Sequence, residues 1–498
     1  MTQTVRTTTP LGEVEGVGHD GYERYAGIRY AQAPVGPLRF RAPVPVEPWD
    51  GVYDATRFGT SAPQPIAETG VLGARPDRQL SEDCLFLNVY TPGTESSARR
   101  PVMVWIHGGS WVTGSGDIYH GASFCRRGDV VVVTINYRLG VLGWLPLDVL
   151  DPSFAGAGNN GIRDQVVALE WVRDNIAAFG GDPDNVTVFG ESAGGGCVCA
   201  LLATPSAEGL FHRAIAQSPA PGFGEVRDGE RFCKEVISAV SPGATVEELL
   251  AAPVEDVLRA QLDVTQQFAK AAVQDGEVEL DTAGIGPHPV VDGVVVTRTV
   301  ADAVRDSNVP LIIGTNLDEG TLFTALVPLW VDDEQLAARL PSFAADPQAV
   351  VRAHRAALPA GRAPIVDVFG EAVFRIPSLR IADAQVEGGG APAWVYWFTF
   401  PTPIVGGMLG ATHALEIAFV WNFTDAWSAF VGEGAPKELA EAMHDAWIAF
   451  ARTGDPNHAG MPAWPVYDTS SRPTMEFGSS VRLVNDPQSD LRRAWYGD

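Results

Sequence analysis

The segment Val186-Thr-Val-Phe-Gly-Glu-Ser-Ala-Gly-Gly-Gly196 sets one serine, Ser192, between Gly190 and Gly194. An apolar β-branched run enters the segment and a small-residue helix candidate, Gly195 to Ala203, leaves it. That context predicts a serine on a sharp strand-to-helix turn, its hydroxyl thrust out of a sheet. The two glycines permit the backbone crowding of such a turn, and the helix N-terminus beneath favours developing negative charge. In a chain with 53 glycines the five-residue pattern alone is a weak signal, and the strand and helix on either side raise it.

A serine hydroxyl is a poor nucleophile near neutral pH, so acyl transfer through it requires a histidine base and a carboxylate that orients the base. For a nucleophile on this kind of turn the chain order is serine, acid, histidine, which sets aside His19, His107 and His120. His212 and His288 precede the best acid candidate. His354 and His444 fall in helical stretches, and His458 in a loop without a preceding strand. His413 remains, after the apolar run Trp394 to Phe400 and the Gly-rich stretch Gly406 to Gly410, with a helix expected from Ala414. The run Val309 to Gly314 leads into two adjacent carboxylates, Asp318 and Glu319, either of which could serve by proximity. Charge developing on a carbonyl oxygen needs converging N–H donors. The run Pro101 to Ile106 leading into His107-Gly-Gly-Ser110 offers them, together with the N–H of Ala193. A histidine base predicts a rate that climbs with an apparent pKa of ~6.5 to 7. No Cys or His spacing suggests a metal site, and neither a metal nor an organic cofactor is expected.

Elements able to hold these residues are visible as short β-branched runs at Val102 to His107, Val130 to Asn136, Val186 to Gly190, Arg213 to Gln217, Pro310 to Gly314 and Ala393 to Phe400. Helical patterns lie between several of them, most clearly over Gly161 to Phe179, where Ile162, Val166, Leu169, Val172 and Ile176 recur at helical spacing. This alternation predicts an α/β fold with a large, mostly parallel sheet flanked by helices. The first 60 residues alternate polar and apolar positions over Thr4 to Thr8, Glu13 to Gly18 and Tyr22 to Arg29, and predict a small antiparallel extension. Helical stretches at about 232–281 and 332–360 interrupt the rhythm and are expected to be insertions walling a pocket. No repeat or clean linker divides the chain, so one domain over 1–498 is expected.

Hydrophobic residues are 46% of the 498, enough for a large core, and 35 Lys plus Arg against 61 Asp plus Glu leave a net charge of −26. That balance repels nucleic-acid phosphates and anionic lipid surfaces and argues against a nucleic-acid-binding role. No apolar run approaches the roughly 18 to 20 residues of a membrane span, and the polar start Met1 to Arg6 lacks a signal-peptide core. Five cysteines, Cys84, Cys125, Cys197, Cys199 and Cys233, are few and odd in number, which suits buried thiols in a reducing compartment. A cytoplasmic protein is expected, monomeric or a small homo-oligomer, acting on a small-molecule substrate.

The ordered set Glu82-Asp-Cys-Leu-Phe-Leu-Asn-Val89, His107-Gly-Gly, Asn136-Tyr-Arg-Leu-Gly140, Phe179-Gly-Gly-Asp-Pro183, Gly190-Glu-Ser-Ala-Gly194, Ala214-Ile-Ala-Gln-Ser218, Gly314-Thr-Asn-Leu-Asp-Glu-Gly320 and Trp464-Pro-Val-Tyr467 resembles the type-B carboxylesterases, the cholinesterase-like branch of the α/β-hydrolase fold. The resemblance covers nearly the whole chain and is strongest in character to bacterial members such as the para-nitrobenzyl and phenylcarbamate esterases. It implies that the acid is Glu319, the glutamate of an Asn-x-Asp-Glu-Gly motif, and that the base is His413. It implies oxyanion donors at Gly109, Ser110 and Ala193, a serine near the acid at Ser218, and a buried glutamate before the nucleophile at Glu191.

Three positions depart from the family pattern: Ala62 stands where a cysteine usually pairs with the one at Cys84, Ser110 replaces Gly or Ala, and Pro219 replaces glycine. The activity implied is hydrolysis of short-to-medium acyl or aryl esters through an acyl-Ser192 intermediate, with carbamate or amide hydrolysis on the same triad as the alternative. Non-catalytic binding relatives are the rival class, but here all three triad positions are filled. His107 is expected to shape its loop. Trp111, Trp144, Phe223, Phe323, Trp330 and Trp397 are read first as plain core, with lining of an acyl or alcohol pocket the alternative for each.

Overall fold

Along Arg100–Ile106 the side chains of Val102, Val104 and Ile106 pack into one apolar layer and those of Met103 and Trp105 into another, all of them buried. A strand that is apolar on both faces belongs in the middle of a sheet covered on both sides. In a computed structural model, which describes residues 3–65, 78–240, 243, 245–275, 286–324, 332–357 and 362–498, it lies there.

The strands are β1 (Gln3–Thr9), β2 (Gly12–His19), β3 (Tyr22–Arg29), β4 (Val52–Asp54), β5 (Phe86–Thr91), β6 (Arg100–Ile106), β7 (Val131–Ile135), β8 (Gly181–Glu191), β9 (Arg213–Gln217), β10 (Gly224–Glu225), β11 (Val290–Val291), β12 (Leu311–Asn316), β13 (Ala393–Phe398), β14 (Pro473–Phe477) and β15 (Val481–Asn485). Thirteen form one sheet in the order β1-β2-β3-β5-β7-β6-β8-β9-β12-β13-β14-β15, with β4 beside β2, while β10 and β11 pair separately. From β7 to β14 every neighbouring pair is parallel. The antiparallel N-terminal extension is present as β1 to β3, which joins the sheet through β5.

Helices Asn160–Asn175 and Ala193–Leu202 cover one face, and Ala122–Gly128 and Lys437–Thr453 the other. The chain passes from β6 to β7 on one side and returns to β8 on the other. Such a reversal opens a crevice at the carboxyl ends of the strands, here β6 and β8, where sites in open α/β sheets form.

The first expected insertion is helical but begins earlier, as Val226–Val240, Val246–Ala251 and Val254–Asp275, and its apolar faces pack with Val141, Leu142 and Leu147 in a third core cluster. The second contains Asp333–Ala338 and Pro347–Ala357; residues 276–281 and 358–360 of the two expected spans lie outside the described residues. Trp144 packs as core, as first read: it is buried edge-on to Tyr137, so close to Gly161 that a Cβ there would lie 2.2 Å from its ring. One sequence expectation needs correction. The helix expected from Ala414 begins at Ile417, because Ala414 itself sits at φ +66° in a turn.

The segment after β7 is locked to the helix Asn160–Asn175 by a buried ion pair. Arg138 donates from Nη2 and Nε to the two carboxylate oxygens of Asp164 at 2.7 and 2.8 Å, and its backbone N–H donates to the same group at 3.0 Å. Removing one member leaves the other buried and uncompensated, which typically costs about 3–5 kcal/mol. Asp164→Ala should lower the urea midpoint by a corresponding amount. A loss below about 1 kcal/mol, the scale of a surface pair, would show that this pair is not a fastener of the fold.

Candidate active site

Ser192 follows β8 directly and caps the helix Ala193–Leu202, with φ +57° and ψ −125°. Few non-glycine residues adopt such a backbone, and it persists only where the surroundings enforce it. Here the enforcement is steric and hydrogen-bonded. The Ser192 N–H donates to the Gln217 carbonyl at 2.9 Å, and the Ser192 carbonyl accepts from Gly196 at 2.8 Å. A Cβ on Gly194 would lie 2.1 Å from the Ile106 carbonyl oxygen, and one on Gly190 would lie 2.6 Å from the Gly194 carbonyl. The two glycines are therefore required by space.

The loop after β6 lies directly against this turn, since a Cβ on Gly108 would be 3.0 Å from the Cβ of Ser192 and 2.6 Å from the Glu191 carbonyl oxygen. Gly109, Ser110 and Trp111 follow at φ +112°, +54° and +57°, three successive residues in the left-handed region that curl the loop. The N–H groups of Gly109, Ser110 and Ala193 meet no protein acceptor among the described residues. Gln64 holds the loop by donating to the Gly114 carbonyl and accepting from its N–H, both at 2.9 Å. The Tyr137 hydroxyl donates to the His107 carbonyl at 2.7 Å while its ring stacks on the His107 ring. Burial pulls the His107 pKa down to about 4, which keeps it neutral and suits the loop-shaping role expected of it.

The structure separates the two adjacent carboxylates. Glu319 Oε2 lies 2.6 Å from His413 Nδ1, and its Oε1 accepts from the Ser218 hydroxyl at 2.6 Å and the Asn316 N–H at 2.7 Å. Asp318 points elsewhere, to Arg362 at 2.6 Å and to the Ala411 N–H at 2.8 Å, so it braces the loop carrying His413. Two neighbours escaped the sequence reading. Glu416 is fully buried, accepting from Asn316 Nδ2 at 2.7 Å and Gln217 Nε2 at 3.1 Å. Burial, then the Glu319 charge, push its pKa up to about 7 against the opposing hydrogen bond from Asn316. A carboxylate inside the otherwise apolar run Ala414 to Val420 was the available signal. Phe374 lies 4.6 Å from the His413 ring and Phe323 lies 5.1 Å away. Nothing in its helical pattern distinguished Phe374 from core.

His413 Nε2 lies 3.2 Å from Glu191 Oε1, too poorly aligned for a hydrogen bond, and no hydrogen bond joins it to Ser192 Oγ among the described residues. Catalytic hydrogen bonds in unliganded sites are often long and tighten when substrate binds. Burial alone would lower the His413 pKa, but the carboxylates of Glu191, Glu319 and Glu416 outweigh it and raise it to about 9. Glu191 is also raised, first by burial and then by the Glu416 and Glu319 charges, against the pull of His413.

Of the aromatic candidates, Phe323 is partly exposed beside His413, Trp111 is nearly buried, and Phe223 packs on the core. Trp397 lies under the Arg375 guanidinium, and Trp330 falls outside the described residues. All five thiols are buried and unpaired, with Ala62 buried in the core at the position of the missing cysteine. No group of three His, Cys, Asp or Glu able to hold a metal occurs among the described residues.

Residues 2–493 match the model of the carboxylesterase family. The chain is 37% identical to a phenmedipham hydrolase of Pseudarthrobacter oxydans over 99% of this chain and 97% of that protein. It is likewise 37% identical to a para-nitrobenzyl esterase of Bacillus subtilis, over 98% of this chain and 97% of that one. Among solved structures, a carboxylesterase of Geobacillus stearothermophilus superposes with a TM-score of 0.84 at 37% identity, covering 98% of this chain and 99% of that one.

Two predictions follow from the geometry around His413. A protonated imidazole cannot accept the serine proton, so a raised pKa moves the rise of kcat/KM to higher pH. The midpoint should lie above ~6.5, the ordinary histidine value, and Glu191→Gln should move it back to lower pH. An unchanged midpoint in that variant would remove Glu191 from the account. Glu319→Gln should lower kcat by orders of magnitude, as loss of an orienting carboxylate does in other triads. Asp318→Asn, which leaves the imidazole contact intact, should cost far less. Equal losses in the two variants would show that neither carboxylate is specifically the orienting one.

Proposed function

The chain belongs to the carboxylesterase family and is a carboxylic ester hydrolase of the α/β-hydrolase fold, and we propose that Ser192, His413 and Glu319 perform the hydrolysis as a catalytic triad. The observation that carries the assignment is the 2.6 Å contact of Glu319 with His413 Nδ1, at the same sheet edge as the strained Ser192.

Ser192 Oγ attacks the ester carbonyl carbon as its proton passes to His413 Nε2. The carbonyl electrons move onto oxygen, where the N–H groups of Gly109, Ser110 and Ala193 form the oxyanion hole. Collapse of that intermediate breaks the bond to the alcohol oxygen, which leaves with the proton from His413, and an acyl-Ser192 remains. Water then attacks the acyl carbon, gives its proton to His413, and the acid departs as Ser192 is reprotonated. Glu319 holds the imidazole by Nδ1 and stabilises its charged form, while Ser218 fixes Glu319 through the other oxygen.

The substrates proposed are dissolved short-to-medium acyl or aryl esters. Phe323 and Phe374, against the imidazole ring, supply apolar contact for them, and the inserted helices Val246–Ala251, Val254–Asp275, Asp333–Ala338 and Pro347–Ala357 are assigned to the pocket wall. A single catalytic domain over 1–498 is supported by a sheet that draws strands from both ends of the chain. Unpaired buried thiols favour a cytoplasmic setting, the acidic surface disfavours nucleic acid, and a monomer or small homo-oligomer suffices because all the named groups come from one chain. No helix among the described residues is long and apolar enough to cross a membrane.

Ser192→Ala should remove about 10⁶-fold of kcat, the scale of nucleophile loss in another serine hydrolase, without unfolding the protein. An organophosphonate should label only the peptide containing Ser192. A label elsewhere, or substantial activity in the alanine variant, would refute the assignment. Rates on an aryl ester and the matching aryl carbamate, measured in parallel, decide between ester and carbamate preference on the same residues.

A further inference from the structure

A cleft of about 530 Å³ opens on the surface between the helix Ala122–Gly128 and the segment 421–427, and none of Ser192, Glu319 and His413 lines it. Its volume is within the ~300–1,000 Å³ of small-molecule sites. One wall is aromatic: the rings of Trp421, Phe423 and Trp427 follow one another in tilted contact, with centroids 6.0 and 5.0 Å apart, and Phe423 and Trp427 are only partly buried.

The other wall carries two adjacent arginines in different electrostatic states. Arg127 is neutralised by Asp445, at 2.8 Å from Nη2, and by Glu441 at 3.4 Å. Arg126 has no carboxylate within ion-pair distance among the described residues. Its Nε donates to the Asp20 carbonyl at 2.9 Å and its guanidinium lies 5.0 Å over the Tyr22 ring. These contacts fix the plane of the group and leave the two terminal nitrogens without an acceptor among the described residues. Asn422, between Trp421 and Phe423 in the chain, is held at φ +52° with Nδ2 donating to the Ser123 hydroxyl at 3.2 Å, and its side-chain oxygen meets no donor among the described residues.

We propose that this cleft is a second ligand site, separate from the hydrolytic centre, for aromatic monocarboxylates. A carboxylate matches the planar fork of Arg126, which can bind it through two parallel hydrogen bonds. A flat ring beside it fills the space against Phe423 and Trp427 in offset or edge-on contact. A dianionic phosphate would call for a second free cation, and Arg127 is already paired. The proposal stands on the cleft alone and does not depend on the triad assignment.

The test uses the whole protein with its hydrolytic serine blocked by a phosphonate, the single label verified by mass, so that ester-pocket binding is excluded. Calorimetric titration with 1-naphthoate should show one saturable site. Arg126→Gln and Trp427→Ala should each weaken binding at least tenfold. The neutral isostere 1-naphthamide should bind the unsubstituted protein at least tenfold more weakly than the acid. Ester hydrolysis by unlabelled Arg126→Gln should be unchanged, because that residue touches no group of the triad. Absence of saturable binding, equal binding by the amide, or an Arg126→Gln protein that retains full affinity would each overturn the proposal. Failure of the phosphonate to label Ser192 would count against the triad and leave the cleft to be tested by the same titration on the protein labelled where it does react.

Discussion

The geometry of the site depends on how closely β8 approaches β6. Their parallel register pairs Ile106 with Gly190, and the chain then has to climb out of the sheet past the Ile106 carbonyl. It can do so only without a Cβ at Gly194, where one would overlap that oxygen at 2.1 Å. The same proximity serves both halves of the chemistry. Because the loop carrying the proposed oxyanion donors starts at His107, the residue after Ile106, the closeness that excludes a side chain at Gly194 also brings Gly108 against Ser192. A wider spacing would relax the turn and separate the nucleophile from the amides that should receive the charge it creates. Neighbouring strands carry the remaining groups to the same level, since Glu191 pairs with Gln217, and Gln217 with Gly314 of β12.

Electrostatics then divides the labour. Glu191, Glu319 and Glu416 surround His413, and all four are buried. Three ionised carboxylates and one imidazolium would leave a net negative charge out of reach of water, which is costly, so the cluster retains protons that an exposed group would release. The raised values of Glu416 and Glu191 express that cost. Paired amide donors offset part of it at Glu416, and the backbone N–H of Asn316 does the same at Glu319. The arrangement favours the imidazolium that must form when the serine proton is taken up. It has a corresponding drawback, because the same field keeps His413 protonated at pH values where an ordinary histidine is already a free base.

Strand positions were legible because a parallel strand buried on both faces needs an unbroken apolar run, as Val102 to Ile106 and Val131 to Ile135 show. The strand-to-helix turn at Ser192, the proposed nucleophile, was legible for the same reason, since such a run enters it and a helix leaves it. The choice of Glu319 over Asp318 was not available from spacing. It turns on a rotation of one residue at the end of β12, enforced by Arg362 and the Ala411 N–H drawing Asp318 away. The family resemblance supplied that choice because it carries the outcome of the packing without its cause. Glu416 was missed because a buried acid and a surface acid have the same letter, and only the convergence of Asn316 and Gln217 upon it distinguishes them. The first helix of the insertion began earlier than periodicity placed it, and the turn at Ala414 delayed a helix that composition alone would have started there.

Chemistry and selectivity are thus assigned to parts of the chain under different constraints. Ser192, the His107 loop and Glu319 all follow directly from strands of one sheet, and moving any of them would disturb the hydrogen-bonded register of its neighbours. The groups proposed to meet the rest of a substrate come instead from Phe323 and from Phe374 in a helical turn at Glu371–Arg375, which touch the imidazole but pair with no strand. Helices outside a sheet can shift or change side chains with little effect on strand register, since their contacts are side-chain packing rather than a shared ladder. Variation in those segments can therefore alter which acyl or alcohol group fits while the hydrolytic geometry stays in place. Ser110 and Pro219 lie at the boundary between the two regimes. Ser110 holds a left-handed backbone while placing an exposed hydroxyl on a proposed oxyanion donor, and Pro219 sets a rigid ring directly after Ser218, the residue that fixes Glu319.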